Sequence, residues 1–429
     1  MGLLTILLLL AGNSDFRPTE LEAAMAPYRY SIVAWELNHL SHKWARNLEN
    51  LWSQDKELSQ EDRAALLKNF FEWGRQQQEL ESSLAHARLS GGASGAPAGN
   101  ESPGSGTDAS PDGQAGPQDM DLPPDTFAQL TRALDRNRQR REELLPRVEA
   151  IVEEELTGLL AQQGFATRWI GVFPPVDVVF GTPPTVLVLS PRDRIYRQGA
   201  TLLRPGLEDN VKNELEQAAL ETEDLSAIVE RTGGLSVYPS VVLDTAGLSY
   251  ALEATAHEWV HHWLFFRPLG RNYRESPELL TVNETAATIA GEALGDLVYE
   301  VLTGEQVARN GTVPTPGRFD FAREMRETRR RAEELLAAGD IEGAEAYMEQ
   351  RRRLFVAQGY NIRKINQAYF AFYGSYATRP GATSPVGQQL RELRSESDSL
   401  KEFLDTVAQF GSYKEYLEFI GGYSGETSE

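Results

Sequence analysis

Six histidines and no cysteine are present in the chain, and three of the six stand together in Ala256-His257-Glu258-Trp259-Val260-His261-His262. His257 to His261 spell H-E-x-x-H. On a helix, residues four apart lie one turn above each other with an offset of about 40°, so His257 and His261 present two imidazoles to one cation. Glu258 lies about 100° around from His257 and flanks the open coordination position, where a general base would act. Zinc suits such a nitrogen donor pair. The bland alternative is two hydrogen-bonded core histidines. His262 points away from the pair and reads as a supporting residue.

A hydrolytic zinc takes a third protein ligand and leaves its fourth position to water. With no Cys, and no His after His262, that ligand is a carboxylate or comes from upstream. Glu284 is the leading candidate, because Ala287, Thr288, Gly291 and Gly295 continue its stripe with small residues that let a second helix approach the first. Glu292 competes with it, and Asp296 could orient an imidazole N–H in either case.

These residues resemble the pattern of the gluzincin metallopeptidases, H-E-x-x-H on one helix and an Asn-Glu segment on the next, here Asn283-Glu284. The sequence looks closest to predicted bacterial membrane-associated aminopeptidases. In those a segment like Asn283-Glu284-Thr285-Ala286-Ala287 follows the zinc helix, and a later helical region carries Asn-x-Ala with tyrosines, here Asn366-Gln367-Ala368-Tyr369. The match covers Ala254 to Tyr299, with Thr288 standing where thermolysin-like enzymes have Asp. The resemblance implies a zinc peptidase, with an aminopeptidase as the expected subclass and a peptide or protein as substrate. His257, His261 and Glu284 would hold Zn2+, and Glu258 would move the proton from water to the leaving amine. An electrophile for the oxyanion is sought among Tyr360, Tyr369, Tyr373 and Tyr376. Tyr369, Tyr373 and Tyr376, at i, i+4 and i+7, would share a helix face, and Tyr369 and Tyr373 are the named candidates, although such a stripe also suits core packing.

The elements that must position these groups follow from period and punctuation. Residues 169–245 alternate with period two among Gly and Pro turns, giving strands in VDVVF, TVLVLS and LSVYPSVVLDT. Pro239 marks the last as an edge strand, able to hold an extended peptide beside the metal. Helices are expected over 249–266, 279–302 and the charged hairpin 320–355, whose Arg329/Glu333, Arg330/Glu334 and Glu327/Arg331 spacings make a solvated face. Upstream, 125–163 reads as one helix, and 19–89 as helices with Trp35, Leu40, Trp44, Leu48 and Leu51 on one face.

Residues 90–124 are a Gly/Pro/Ser linker without aromatic, Lys or Arg, able to tether the N-terminal helices without fixing their distance. Gly2 to Ala11 is wholly apolar but too short to span a bilayer, and reads as a signal or membrane-anchor remnant. Membrane association through the N-terminus, on the extracytoplasmic side, is the expected location. A formal charge of -21 disfavours nucleic acid and anionic lipid as partners.

The expected architecture is α+β and zincin-like, with a small mixed β-sheet preceding the two-helix HExxH/Glu site and helical regions at both ends. Its expected parts are 1–13 (anchor remnant), 14–89 (N-terminal helices), 90–124 (linker), 125–306 (catalytic domain) and 307–429 (C-terminal helical subdomain). The contrasting expectation is a membrane-tethered helical scaffold whose metal site is structural or vestigial.

Overall fold

The computed structural model describes residues 18–39, 58–92, 124–307 and 319–426. The apolar N-terminal run, nearly all of the linker, and Leu40, Trp44, Leu48 and Leu51 lie outside the described residues. The architecture is α+β and mainly helical.

The first helix, α1 (Glu20–Met25), is short and closed by a capping box in which Glu22 N–H donates to Thr19 Oγ1 at 3.2 Å and Thr19 N–H donates to Glu22 Oε2 at 3.0 Å. A 3-10 turn, Ala26–Tyr28, follows. The backbone then pairs with a sheet edge, Tyr30 N–H donating to the Leu202 carbonyl at 3.0 Å. The helical period from Thr19 therefore breaks at Pro27, which lacks the N–H an α-helix needs.

Helices α2 (Gln60–Gly92) and α3 (Pro124–Gln162) run antiparallel, with Arg63 pairing Glu154 and Glu155 at 2.9 and 2.8 Å and Arg138 pairing Glu81 at 2.8 Å. Leu67, Phe70 and Phe71 of α2 enter the main core together with Val148, Val152 and Leu156 of α3. Arg141, itself buried, ion-pairs with Asp244 and lies 4.7 Å from the Phe70 ring. The second N-terminal helix is thus packed on the body, which a free tether would not require.

Among the described residues, eight strands form three small sheets rather than the single mixed sheet expected. β1 (Ala166–Thr167) and β2 (Gly171–Val172) make a hairpin. β3 (Val178–Gly181) pairs in parallel with β8 (Ser240–Leu243), which pairs antiparallel with β7 (Gly234–Leu235). In the third sheet, β4 (Thr185–Pro191) is central between β5 (Gly199–Leu203) and β6 (Leu225–Arg231), all antiparallel. Residues 234–243 are two strands, with Pro239 in the connection between them. Of these two strands β8 is central in its sheet, and β7 lies at one edge, opposite β3. A helix the period-two reading missed, α4 (Asp209–Glu223), covers the third sheet, burying Leu215 and Ala219 with Leu21, Met25 and Leu187.

Next come α5 (Leu248–Phe265), α6 (Pro268–Asn272) and α7 (Pro277–Thr303). α5 is apolar almost all round and fills the middle of the main core through Ala251, Leu252, Trp259, Val260 and Trp263. The hairpin α8 (Phe321–Ala337) and α9 (Ile341–Ala357) starts each helix on an aspartate cap, Asp320 and Asp340. Its ion pairs include Arg329–Glu333 and Arg330–Glu334 as spaced, but Arg331 pairs with Glu334 and Glu327 with Arg330. α10 (Gln367–Tyr373) lies on β4 and β6, whereas α11 (Val386–Glu396), α12 (Leu400–Val407) and α13 (Tyr413–Glu426) join the core around α5 and α7. The C-terminal helices accordingly divide between the sheet and the main core.

Candidate metal and acid–base site

The site rests on the contact between α5 and α7. Ser276 caps α7, its hydroxyl accepting from Leu279 N–H at 3.1 Å, and Pro277 sets the first turn. Along the contact, Gly291 and Gly295 face α5 directly. A Cβ at Gly291 would stand 2.9 Å from His257 Cβ, and one at Gly295 would stand 2.7 Å from Glu253 Cα. Only glycine permits that approach, which carries Glu284 to the histidines.

His257 Nε2 and His261 Nε2 are 3.0 Å apart, and Glu284 Oε2 lies 3.7 Å from the first and 3.5 Å from the second. A tetrahedral zinc bonded at about 2.0–2.1 Å holds its ligands about 3.4 Å apart. The three separations bracket that value, so shifts of a few tenths of an ångström would let the donors hold such an ion. Among the described residues this is the only group of three such ligand atoms within 4.8 Å of one another. Glu292, two turns farther along α7, is not part of it. Asn283 is buried and hydrogen-bonds His261, fixing the ring.

Glu258 is 6% exposed and lies against β7, where a Cβ on Gly234 would collide with its Oε1. Burial pushes the Glu258 carboxyl up; the His257 and His261 imidazoles recover part of this and Glu284 adds to the rise. For Glu284, burial acts upward but His261 and His257 outweigh it and hold the carboxyl well below its usual range. Burial acts downward on His261, and Glu284 more than reverses it. Two carboxylates a few ångströms apart are thereby driven in opposite directions, one toward a proton acceptor of raised basicity and one toward a permanent anion.

His262 serves a different purpose. Its ring packs 5.5 Å from Tyr238 and hydrogen-bonds the Val237 backbone, and burial together with His261 pushes its pKa down to about 4. It is a neutral packing residue under the strand connection.

The four candidate tyrosines lie in different surroundings. Tyr360 packs on Phe321, 4.4 Å between ring centroids. Tyr369 and Tyr373 lie 4.5 Å apart on the third sheet, and the Tyr373 hydroxyl donates to Glu230 Oε2 at 3.3 Å. Burial, then Glu230, raises both phenols. Two phenols feel the site: Tyr250, raised by burial with Glu258 and Glu253 against Arg379, and Tyr376, which Glu284, burial and Glu258 push far up while Arg197 and Arg379 act downward. Ala377 N–H donates to Thr285 Oγ1 at 3.2 Å, docking this segment beside Glu284. The i, i+4, i+7 face does not extend to Tyr376, because α10 stops at Tyr373, with Gly374 as its C-cap, and the chain turns before Tyr376. Gly374 was the available signal.

Compared with known protein families, curated proteins and solved structures, the chain matches none.

Proposed function

We propose that this chain is a zinc-dependent peptidase with a zincin-like site, in which His257, His261 and Glu284 hold the ion. The observation that carries the reading is Glu258: a carboxylate buried beside two imidazoles, raised in basicity, and paired with no Lys or Arg among the described residues. A site that merely bound metal for stability would have no use for it. When bound, the ion would supply Lewis acidity to the scissile carbonyl and to the attacking water. Glu258 takes the water proton and delivers it to the departing amine. Tyr376, held protonated, donates a hydrogen bond to the carbonyl oxygen as negative charge develops there. Glu258 touches Gly234 of the edge strand β7, so an extended peptide can add to that edge by main-chain hydrogen bonds and pass the base.

The test is Glu258→Gln in the full chain. Zinc content should stay stoichiometric while peptide hydrolysis falls by about 10²–10⁴-fold, the usual share of a general base. A Gln variant with full activity, or a native chain that takes up no zinc, would remove the peptidase reading. Substrates with free and blocked N-termini then distinguish aminopeptidase from endopeptidase activity.

A further inference from the structure

The C-terminal end of α5 carries an exposed aromatic cluster. Phe265 and Phe266 are 63% and 53% exposed, with ring centroids 5.2 Å apart, and Phe173 lies 5.2 Å from Phe266. The β1–β2 turn adds Trp169 and Ile170, at 87% and 70% the most exposed large apolar side chains among the described residues. This turn is built to present them: Ile170 N–H donates to Thr167 Oγ1 at 3.3 Å, and the Thr167 hydroxyl to the Gly171 carbonyl at 3.2 Å. The hairpin is also fastened to α5. Phe165, which precedes it, is buried with its ring 5.3 Å from Trp259 and 5.7 Å from Trp263. Hairpin and helix end therefore form one surface.

The two stretches of chain that build this surface are locally basic, although Asp405 of α12 acts on Arg267. Residues 156–176 and 259–274 contain no Asp, and their only acidic group would have been Glu, of which there is none, although the chain has 63 acidic residues. The same two stretches carry Arg168, Arg267, Arg271 and Arg274. Arg168 is exposed and lies 5.5 Å from the Trp169 ring. A contiguous apolar patch on a soluble face marks an interaction site. Trp beside Arg, with Phe and Ile projecting, is the chemistry of a membrane interface, where indole sits at headgroup depth and guanidinium reaches lipid phosphate.

We propose that Trp169, Ile170, Phe173, Phe265 and Phe266 form a bilayer-docking face that inserts into the interface of an anionic membrane, with the exposed Arg168, Arg271 and Arg274 on the headgroups and Arg267 held back against Trp263. The net charge of -21 would suggest repulsion, but charges beyond a Debye length of about 8 Å are screened, so the local sign governs contact. Phe265 stands one helical turn past His261, which brings a docked bilayer close to the metal-ligating end of α5. This contact is separate from the N-terminal run and does not depend on the peptidase reading.

The experiment uses the full chain with Leu4→Asp, Leu7→Asp and Leu9→Asp to silence the N-terminal run. This protein should co-sediment with phosphatidylcholine vesicles containing phosphatidylglycerol, and should do so weakly with phosphatidylcholine alone. Adding Trp169→Ser, Ile170→Ser and Phe266→Ser should weaken the partitioning about tenfold or more, from the apolar area withdrawn from the interface. Trp169→Ser alone, at the hairpin tip, should weaken it in the same direction with an unchanged circular-dichroism melt. The proposal is overturned if the chain stays in the supernatant, if pure phosphatidylcholine binds it equally well, or if the patch variants sediment like their parent. It is also overturned if those substitutions dissolve a lipid-free dimer in ultracentrifugation and leave vesicle binding intact.

Discussion

Glu216 on α4 and Glu258 on α5 are buried to nearly the same degree, 3% and 6% exposed, yet their surroundings have little in common. Glu216 ion-pairs with Arg363 and with Lys364, and accepts from Val229 N–H at 2.7 Å. Burial acts upward on its carboxyl, but the two cations outweigh it and the result is a lowered pKa. Glu258 has two imidazoles and a second carboxylate for neighbours, and its pKa rises. The first arrangement satisfies the charge and ties α4 to β6 and to the segment before α10. The second leaves basicity available beside a set of metal donors. A buried acid with its cations present is a fastening, whereas one without them has been kept for a proton.

The contrast is open to attack from both sides. The largest effect should come from Glu216→Gln, since removing one partner of a buried ion pair strands the others at a cost of about 3–5 kcal/mol. Urea unfolding should show that loss while zinc content of the folded fraction is unchanged. A loss of metal with little loss of stability would mean that the sheet and the site are not separable in this way.

Next, Glu284→Ala should weaken zinc binding more than about a hundredfold, beyond what loss of a supporting residue causes, and Glu292→Ala should leave it intact. Competition with a chelator measures both. The reverse result would place the third ligand two turns along α7 and detach the site from the Gly291 and Gly295 contact.

Tyr376→Phe should lower kcat by about 10²-fold with KM little changed, as for loss of one oxyanion donor. Tyr373→Phe should leave kcat near its native value, because its hydroxyl is engaged by Glu230. Equal losses in the two variants would return the oxyanion role to α10.

The smallest effect is on the metal-free protein. Glu258 is raised in the folded state, so it costs nothing at pH values below its unfolded pKa and its penalty grows as pH rises from there to the folded pKa. Glu258→Gln should therefore raise the melting temperature of zinc-free protein at neutral pH. Glu216 has the opposite sign. Its lowered pKa confers stability above the unfolded carboxylate range that disappears as pH falls through the folded value. Melting curves of the two variants across acidic pH should diverge in these directions.

Residue type and spacing alone determined the helix with His257, Glu258 and His261, the helix with Glu284, the 320–355 hairpin and the stripe of small residues between the first two. Each is a local matter: a 3.6-residue period, a cap or a side-chain volume decides it. Only the tertiary structure decided what crosses between elements. It alone divided residues 234–243 into β7 and β8, because pairing partners are chosen by the sheet and not by the strand's own pattern. It inserted α4 among the strands, and it placed α2 on α3 through Phe70, Phe71 and Arg141. It also turned the chain at Gly374, so that the Tyr376 phenol feels the charge of Glu284 while Tyr369 and Tyr373 feel that of Glu230. The opposite fates of Glu216 and Glu258 belong to the same class, since a buried carboxylate takes its basicity from cations that approach from distant parts of the chain, and no local pattern records whether they arrive.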